Sequence, residues 1–320
     1  MLDDRYGGGG SFDTNGDNLD AVESVPSGGD WAGLVVGHTG RASIDHAVIA
    51  FGGGTTANGG TFLTFNAVEL HQTDARIANS RFESNASGVG GLGPDSRFGL
   101  GGNDPGTIFV RGNQPTIIDN IFVDNAAAVV SIDVNSLNHE LTTDDGRQTG
   151  LVEAKPGFLD NHGPLVRGNQ FDGNAINGME VRGGTLTTES VWDDADIVHV
   201  LRDGVFVPNF HSFGGLRLLS STSQSLVVKS LGLDAGFTTT GTTLGIDDHI
   251  GGRIQVLGQP NHPVVLTSIF DDSVGAGFNT NGQFQTDTNN GGRPSSSSGC
   301  LLYTSPSPRD ATLSRMPSSA

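Results

Sequence analysis

The stretch Asp13-Thr-Asn15-Gly16-Asp17-Asn-Leu-Asp20 sets oxygen-bearing side chains at positions 1, 3, 5 and 8 of a glycine-containing loop. Calcium takes about six to eight oxygen ligands, and such alternation can turn several of them toward one point. Asp13, Asn15, Asp17 and Asp20 are therefore the candidate metal ligands, and Ca2+ is the candidate cofactor. The match to an EF-hand loop is partial, because Asn18 stands where glycine belongs and Ser24 where the bidentate glutamate belongs. A plain polar loop with Asx turns is the competing reading. Asp287-Thr-Asn289-Asn-Gly291 is a weaker echo of the same pattern.

Other chemistries find less support. The nine histidines are scattered, without His-x-His or His-Glu-x-x-His spacing. Gly7–Gly10 and Gly52–Gly54 are followed by no Gly-Lys-Ser/Thr, so they are not phosphate loops. No Gly-x-Ser-x-Gly elbow marks a serine nucleophile.

The elements that must carry any site are announced by a repeat. An apolar residue is followed two on by Asn, Asp or Gly, three further by Phe, three further by Asn, and then by Ala. The copies are Ile77–Ala86 (Asn79, Phe82, Asn85), Ile117–Ala126 (Asp119, Phe122, Asn125) and Val166–Ala175 (Gly168, Phe171, Asn174). A looser copy starts at Ile44, with His46, Ile49 and Gly52 in the same places. Repetition at this scale signals stacked supersecondary units. The expectation is an all-β, right-handed parallel β-helix (a solenoid) with a small additional β subdomain. The Phe residues would form an internal column. The Asn residues would sit at sharp corners, bonding the backbone of the next coil and tolerating a left-handed conformation. Strands between the motifs suggest two short coils in each period.

Along the chain, 1–30 reads as a Gly/Asp-rich loop or truncated unit start and 31–184 as the parallel β-helix. Residues 185–250 read as a β-rich subdomain or connector, 251–282 as the start of a second β-helix unit, and 283–320 as disordered. Within the connector, Ile197–Leu201 and Val205–Val207 suggest a hairpin turning at Asp203-Gly204. Cys300–Ala320 resembles the in-frame translation of a sequencing adapter and is set aside from fold reasoning. It holds the sole cysteine, two arginines and one aspartate. The remainder has no disulfide or thiol chemistry, and its net charge moves from −18 to −19. Leu2–Gly16 resembles Phe270–Gly282, with Asp3 and Asp4 matching Asp271 and Asp272, and Phe12 matching Phe278. The chain is therefore expected to be a window of a longer duplicated protein, its unit 266 to 268 residues long.

Composition narrows the partners. Lys155 and Lys229 are the only lysines, and acidic residues outnumber basic ones two to one. A nucleic-acid binder needs Lys and Arg along one face, so nucleic acid is not an expected partner. No apolar run approaches the length of a membrane span.

The coil motifs, the Gly29-Asp30-Trp31-Ala-Gly-Leu34 entry and the Gly258-Gln-Pro260…Pro263-Val-Val-Leu-Thr-Ser268 strand resemble the right-handed parallel β-helix repeat family. They are most similar to very large, duplicated, extracellular bacterial proteins. The resemblance covers roughly residues 1 to 295 and is specific for fold, not for activity. It implies secretion or surface display, with polysaccharide or cell-surface matrix as the partner. The same fold serves non-enzymatic surface proteins and polysaccharide lyases or glycoside hydrolases. A lyase would need carboxylates for calcium and an Arg or Lys base, and a hydrolase two or three carboxylates. The candidates on repeat strands are Asp119, Asp124, Asp133, Asp172, Glu180 and Arg182, with no catalytic pairing among them established. The leading expectation is a non-catalytic segment for adhesion, matrix building or glycan contact, and the alternative is the enzyme.

Overall fold

The computed structural model describes residues 26–54, 56–57, 63–64, 66–87, 104–144, 146, 154–208, 215–240 and 251–292. The calcium-loop residues Asp13, Asn15, Asp17 and Asp20, and the adapter-like tail, lie outside the described residues. The chain is all-β and built mainly of parallel sheets. Its strands come in passes of three. The first holds β1 (Leu34–Val36), β2 (Arg41–Asp45) and β3 (Val48–Ala50). A small antiparallel pair, β4 (Thr56–Ala57) and β5 (Leu63–Thr64), follows. The second pass holds β6 (Val68–His71), β7 (Asp74–Ala78) and β8 (Arg81–Glu83), and the third β9 (Ile108–Arg111), β10 (Thr116–Ile118) and β11 (Ile121–Val123). The fourth holds β12 (Ala128–Asp133), β13 (Leu165–Arg167) and β14 (Gln170–Asp172). Next come β15 (Ile176–Arg182), β16 (Gly184–Thr185) and β17 (Ser190–Trp192), then β18 (His199–Leu201), β19 (Gly204–Val207) and β20 (Gly215–Leu219). Last are β21 (Val227–Ser230), β22 (Gly236–Thr239) and β23 (Arg253–Leu257), and finally β24 (Val265–Ser268).

The first strand of every pass enters one eight-stranded sheet, ordered β1-β6-β9-β12-β15-β18-β21-β24. The second and third strands of the first four passes form two four-stranded sheets, and those of the last three form two three-stranded sheets. Each repeat motif therefore spans a single pass, not two coils: β7 pairs directly with β10, Ile77 opposite Ile117, and β8 with β11. The strands of 185–240 do not stand apart either, since β18 and β21 continue the broad sheet and β24 extends it. The expected hairpin is absent. β18 and β19 each pair in parallel with strands of neighbouring passes, so Asp203-Gly204 turns the chain between two sheets instead of reversing it.

Phe82, Phe122 and Phe171 are fully buried and stacked, their ring centroids 4.8 and 6.1 Å apart. Ile49 continues the column opposite Phe82. The corners are held by buried asparagines. Asn125 accepts at Oδ1 from the Asn85 backbone N–H (3.2 Å) and from Asn85 Nδ2 (2.8 Å), and its own Nδ2 donates to the Phe82 carbonyl and to Asn174 Oδ1. Asn85 does the same for Gly52, and Asn174 for Asn125. The left-handed residue is not this asparagine but the one before it: Phe51, Ser84, Asp124 and Gly173 all have φ between 52° and 66°. A second polar column, Ser80, Asn120 and Asn169, repeats the arrangement two residues before each Phe. There the left-handed residues are His46, Asn79, Asp119 and Gly168. At 173 glycine suits both the left-handed backbone and the close approach of Asp124, since a Cβ would lie 2.1 Å from Asp124 Oδ1 of the pass below unless that side chain moved.

The polar stretch 283–292, expected from composition to be disordered, lies against the open side of β14. Phe171 N–H donates to the Phe278 carbonyl, Gln285 Nε2 to the Phe171 carbonyl and Asn177 N–H to the Thr288 carbonyl. Edge amides that lack a further strand find partners in this segment.

Replacing Asn125 by Ala removes four hydrogen bonds and leaves the buried Asn85 N–H unpaired, at about 1–3 kcal/mol for each group orphaned. Urea denaturation should show Asn125→Ala less stable by about 3 kcal/mol. The exposed-site control Asn281→Ala should stay within about 0.5 kcal/mol of wild type.

Candidate functional site

The outward face of the broad sheet gathers charged side chains from successive passes. Strand alternation sends Val68, Leu70, Ile108, Val110, Val130, Ile132, Met179 and Val181 into the core. It sends Glu69, Phe109, Ser131 and Glu180 to the other side in one register column. Beside that column His71 lies opposite Arg111, and Asp133 opposite Arg182.

The charges bond to one another. Glu180 Oε1 lies 3.1 Å from Arg202 Nη1, which is 3.4 Å from Asp104 Oδ1. Arg182 donates to Ser131 Oγ (2.9 Å) and to the Val110 carbonyl (2.6 Å), and its Cζ sits 4.2 Å from the Phe109 ring centroid. Asp104 and Asp133 approach the same guanidinium at 3.7 and 3.9 Å. Asp133 also caps the short 3-10 turn Val134–Ser136, accepting from Ser136 N–H and Oγ. Glu69 receives Asn66 and contacts His71 at 3.0 Å. Burial pushes Glu180 above the ordinary carboxylate range, although Arg202 pulls the other way. Burial also lowers Arg182 to about 10.

Of the residues expected from sequence, Asp133, Glu180 and Arg182 come together here. Asp119 and Asp124 do not, since both occupy left-handed corner positions, and Asp119 meets Lys155. Asp172 sits on β14, accepting from Thr280 Oγ1. Glu69 and His71 could have been read from the alternation in Val68-Glu-Leu-His71, whereas Asp104 and Arg202 arrive from loops and have no local signal. His199 points into the core, stacked on Trp192 with centroids 5.3 Å apart, and burial lowers its pKa to about 3.

The loop echoing a calcium site is an Asx-type turn. Asp287 accepts from Gly291 and Gly292 N–H, and Asn289 from Gly291 N–H. Among the described residues no group of three or more His, Cys, Asp or Glu is placed to hold a metal. Beside this turn lies an open cleft of about 480 Å³ whose lining includes Asp172, Asn177, Gln283, Phe284, Asp287 and Asn290. Phe284 is half exposed and packs edge-on to Phe278, 6.3 Å between centroids.

A further acidic group closes the edge of the sheet ending in β13. Asp193 accepts from His162 N–H, Asp194 from Val166 N–H and Asp196 from Gly168 N–H, with Arg167 beside the last two. Burial raises all three carboxyls, Asp194 well above 3.8.

No family model, curated protein or solved structure matches the chain.

The raised carboxyls set a pH dependence. The folded chain retains protons there that the unfolded chain has released, so each group makes stability fall as pH rises from about 3.8 through its folded value. Asp194→Asn keeps an acceptor for Val166 N–H and removes the buried charge. Its melting temperature at neutral pH should equal or exceed wild type, and its stability should fall less steeply as pH rises above about 3.8. Asp194→Ala leaves that N–H unpaired and should melt lower by calorimetry.

Proposed function

We propose that the chain is a non-catalytic segment of a right-handed parallel β-helix. It would belong to a large secreted or surface-displayed protein that contacts polysaccharide or matrix. One observation carries the non-catalytic reading: Glu180 and Arg182, the candidate acid and base on the broad sheet, are already bonded to neighbouring side chains and to the backbone. Arg182, the natural candidate base, donates to the Val110 carbonyl and lies on Phe109. Glu180, the natural candidate acid, faces Arg202. A base needs a free lone pair within reach of a substrate proton, and an arginine that donates to a carbonyl offers none. The β-helix reading rests on the passes of three strands and on the Phe and Asn columns, which place like over like.

Glycan contact is supported by the cleft beside Phe284. Amide and carboxylate side chains suit the hydroxyls of a sugar, and a half-exposed aromatic ring suits its apolar face. Calcium remains a candidate ligand at Asp13, Asn15, Asp17 and Asp20.

The alternative, a polysaccharide lyase or glycoside hydrolase, is favoured by the same gathering of Asp104, Asp133, Glu180, Arg182 and Arg202 on one face. A screen against pectin, alginate and related acidic glycans separates the two. The scaffold reading expects binding without new reducing ends or unsaturated products, and weaker binding for Phe284→Ala. Turnover lost in both Glu180→Gln and Arg182→Lys would overturn it in favour of the enzyme.

A further inference from the structure

One core column runs the length of the broad sheet: Leu34, Val68, Ile108, Val130, Met179, His199, Val228 and Leu266 lie opposite one another in register. The six inner members are at most 2 % exposed, whereas Leu34 is 41 % and Leu266 52 % exposed. Both end residues point where a core belongs, and among the described residues nothing covers them. β1 and β24 are the two edges of the sheet order, so among the described residues no further strand takes up their outward backbone groups.

The polarity of those groups fits a single arrangement. Val265 and Ile269 donate inward, to the Leu226 and Ser230 carbonyls, so the alternate residues Leu266 and Ser268 turn their N–H and C=O outward. On β1, Leu34 N–H donates inward to the Ala67 carbonyl, which leaves Val35 facing out. In a parallel ladder Val35 N–H would reach the Leu266 carbonyl, and Ser268 N–H the Val35 carbonyl. That pairing sets Val35 opposite Thr267 and therefore Leu34 over Leu266, continuing both the ladder and the column.

The sequence names the same occupant. The match of Leu2–Gly16 to Phe270–Gly282 has an offset of 266 to 268 residues. Carried forward by that offset, a β1-type strand falls near position 301. The interval from β24 would then lie within the 20 to 48 residues that separate consecutive strands of this sheet. The sequence at that place is the adapter-like Cys300-Leu-Leu instead of a second Leu34-Val-Val36.

We propose that copies of this chain join head to tail, β1 of one molecule adding in parallel to β24 of the next with Leu34 seated on Leu266. The contact is heterologous and does not close on itself, so it permits chains longer than two.

Sedimentation velocity over a concentration series of the full chain tests this. The wild type should shift progressively from monomer to dimer and longer species. Leu34→Asp and Leu266→Asp should each be monomeric with an unchanged melting temperature. Mixed in equal amounts they should form a dimer that grows no further, because each retains the end that the other has lost. If either aspartate variant unfolds, Val35→Pro and Ser268→Pro replace them, since each deletes an outward N–H that the pairing uses. A wild type that stays monomeric at every concentration overturns the proposal. So does an aspartate variant that associates like wild type, or a mixture no larger than its components.

Discussion

Every corner of a stack of parallel strands faces the same difficulty: the backbone must turn sharply while buried, and its amides lose both water and ladder. The buried asparagines answer it. Each Oδ1 accepts the backbone N–H of the corner on the neighbouring pass, and each Nδ2 donates to a carbonyl of that pass and to the next asparagine. An unmet buried amide costs about 1–3 kcal/mol, so a column of such corners would be untenable without these side chains. The Phe column depends on them, because the rings stack only if successive passes keep one register. Aspartate could accept but not donate onward, and serine, as at Ser80, reaches only one neighbour's amide.

This explains how much of the fold was legible. A column that stacks like over like must repeat the same residue type at the same place, so Phe82, Phe122 and Phe171 and their asparagines appeared in sequence as a frame. The second column, Ser80, Asn120 and Asn169, was equally present but masked by its variation, since a hydroxyl and an amide can fill one role. The number of coils per period was misread because short apolar runs such as Thr107–Val110 look alike whichever sheet they enter. β9 proved to be the first strand of its own pass. Asp203-Gly204 misled for a related reason: the dipeptide specifies a tight change of direction, and whether the next strand returns or moves to another wall is decided by what it packs against.

The charged face was only half legible. Alternation along β6, β12 and β15 tells which residues leave the core, and so predicts Asp133, Glu180 and Arg182 on one surface. It does not tell that Asp104 and Arg202 complete the network, since loop residues reach it at separations of 22 to 98 residues. Nor does it reveal that Arg182 is turned down onto Phe109 and the Val110 carbonyl. An arginine on a strand face reads as available until its partners are known.

Where a wall of the stack stops, the chain uses two different devices. The sheet of β13 ends on aspartate side chains, which take its outward amides one by one. The sheet of β14 ends on main chain, with Phe278 standing in for a strand and Gln285 reaching the Phe171 carbonyl. Asn177 ends the asparagine column from within, its Oδ1 taking both Asn174 N–H groups while its own Nδ2 reaches the Asp287 carbonyl. Buried carboxylates are a costly stopper, and Arg167 offsets only part of their charge. They are tolerated because an orphaned ladder amide is costly too, and because a carboxyl can take up a proton where an amide has no such escape. The two four-stranded walls thus end in built closures, whereas the broad sheet runs past both of them to β24, carrying its core column with it to an edge where the described residues show no such closure.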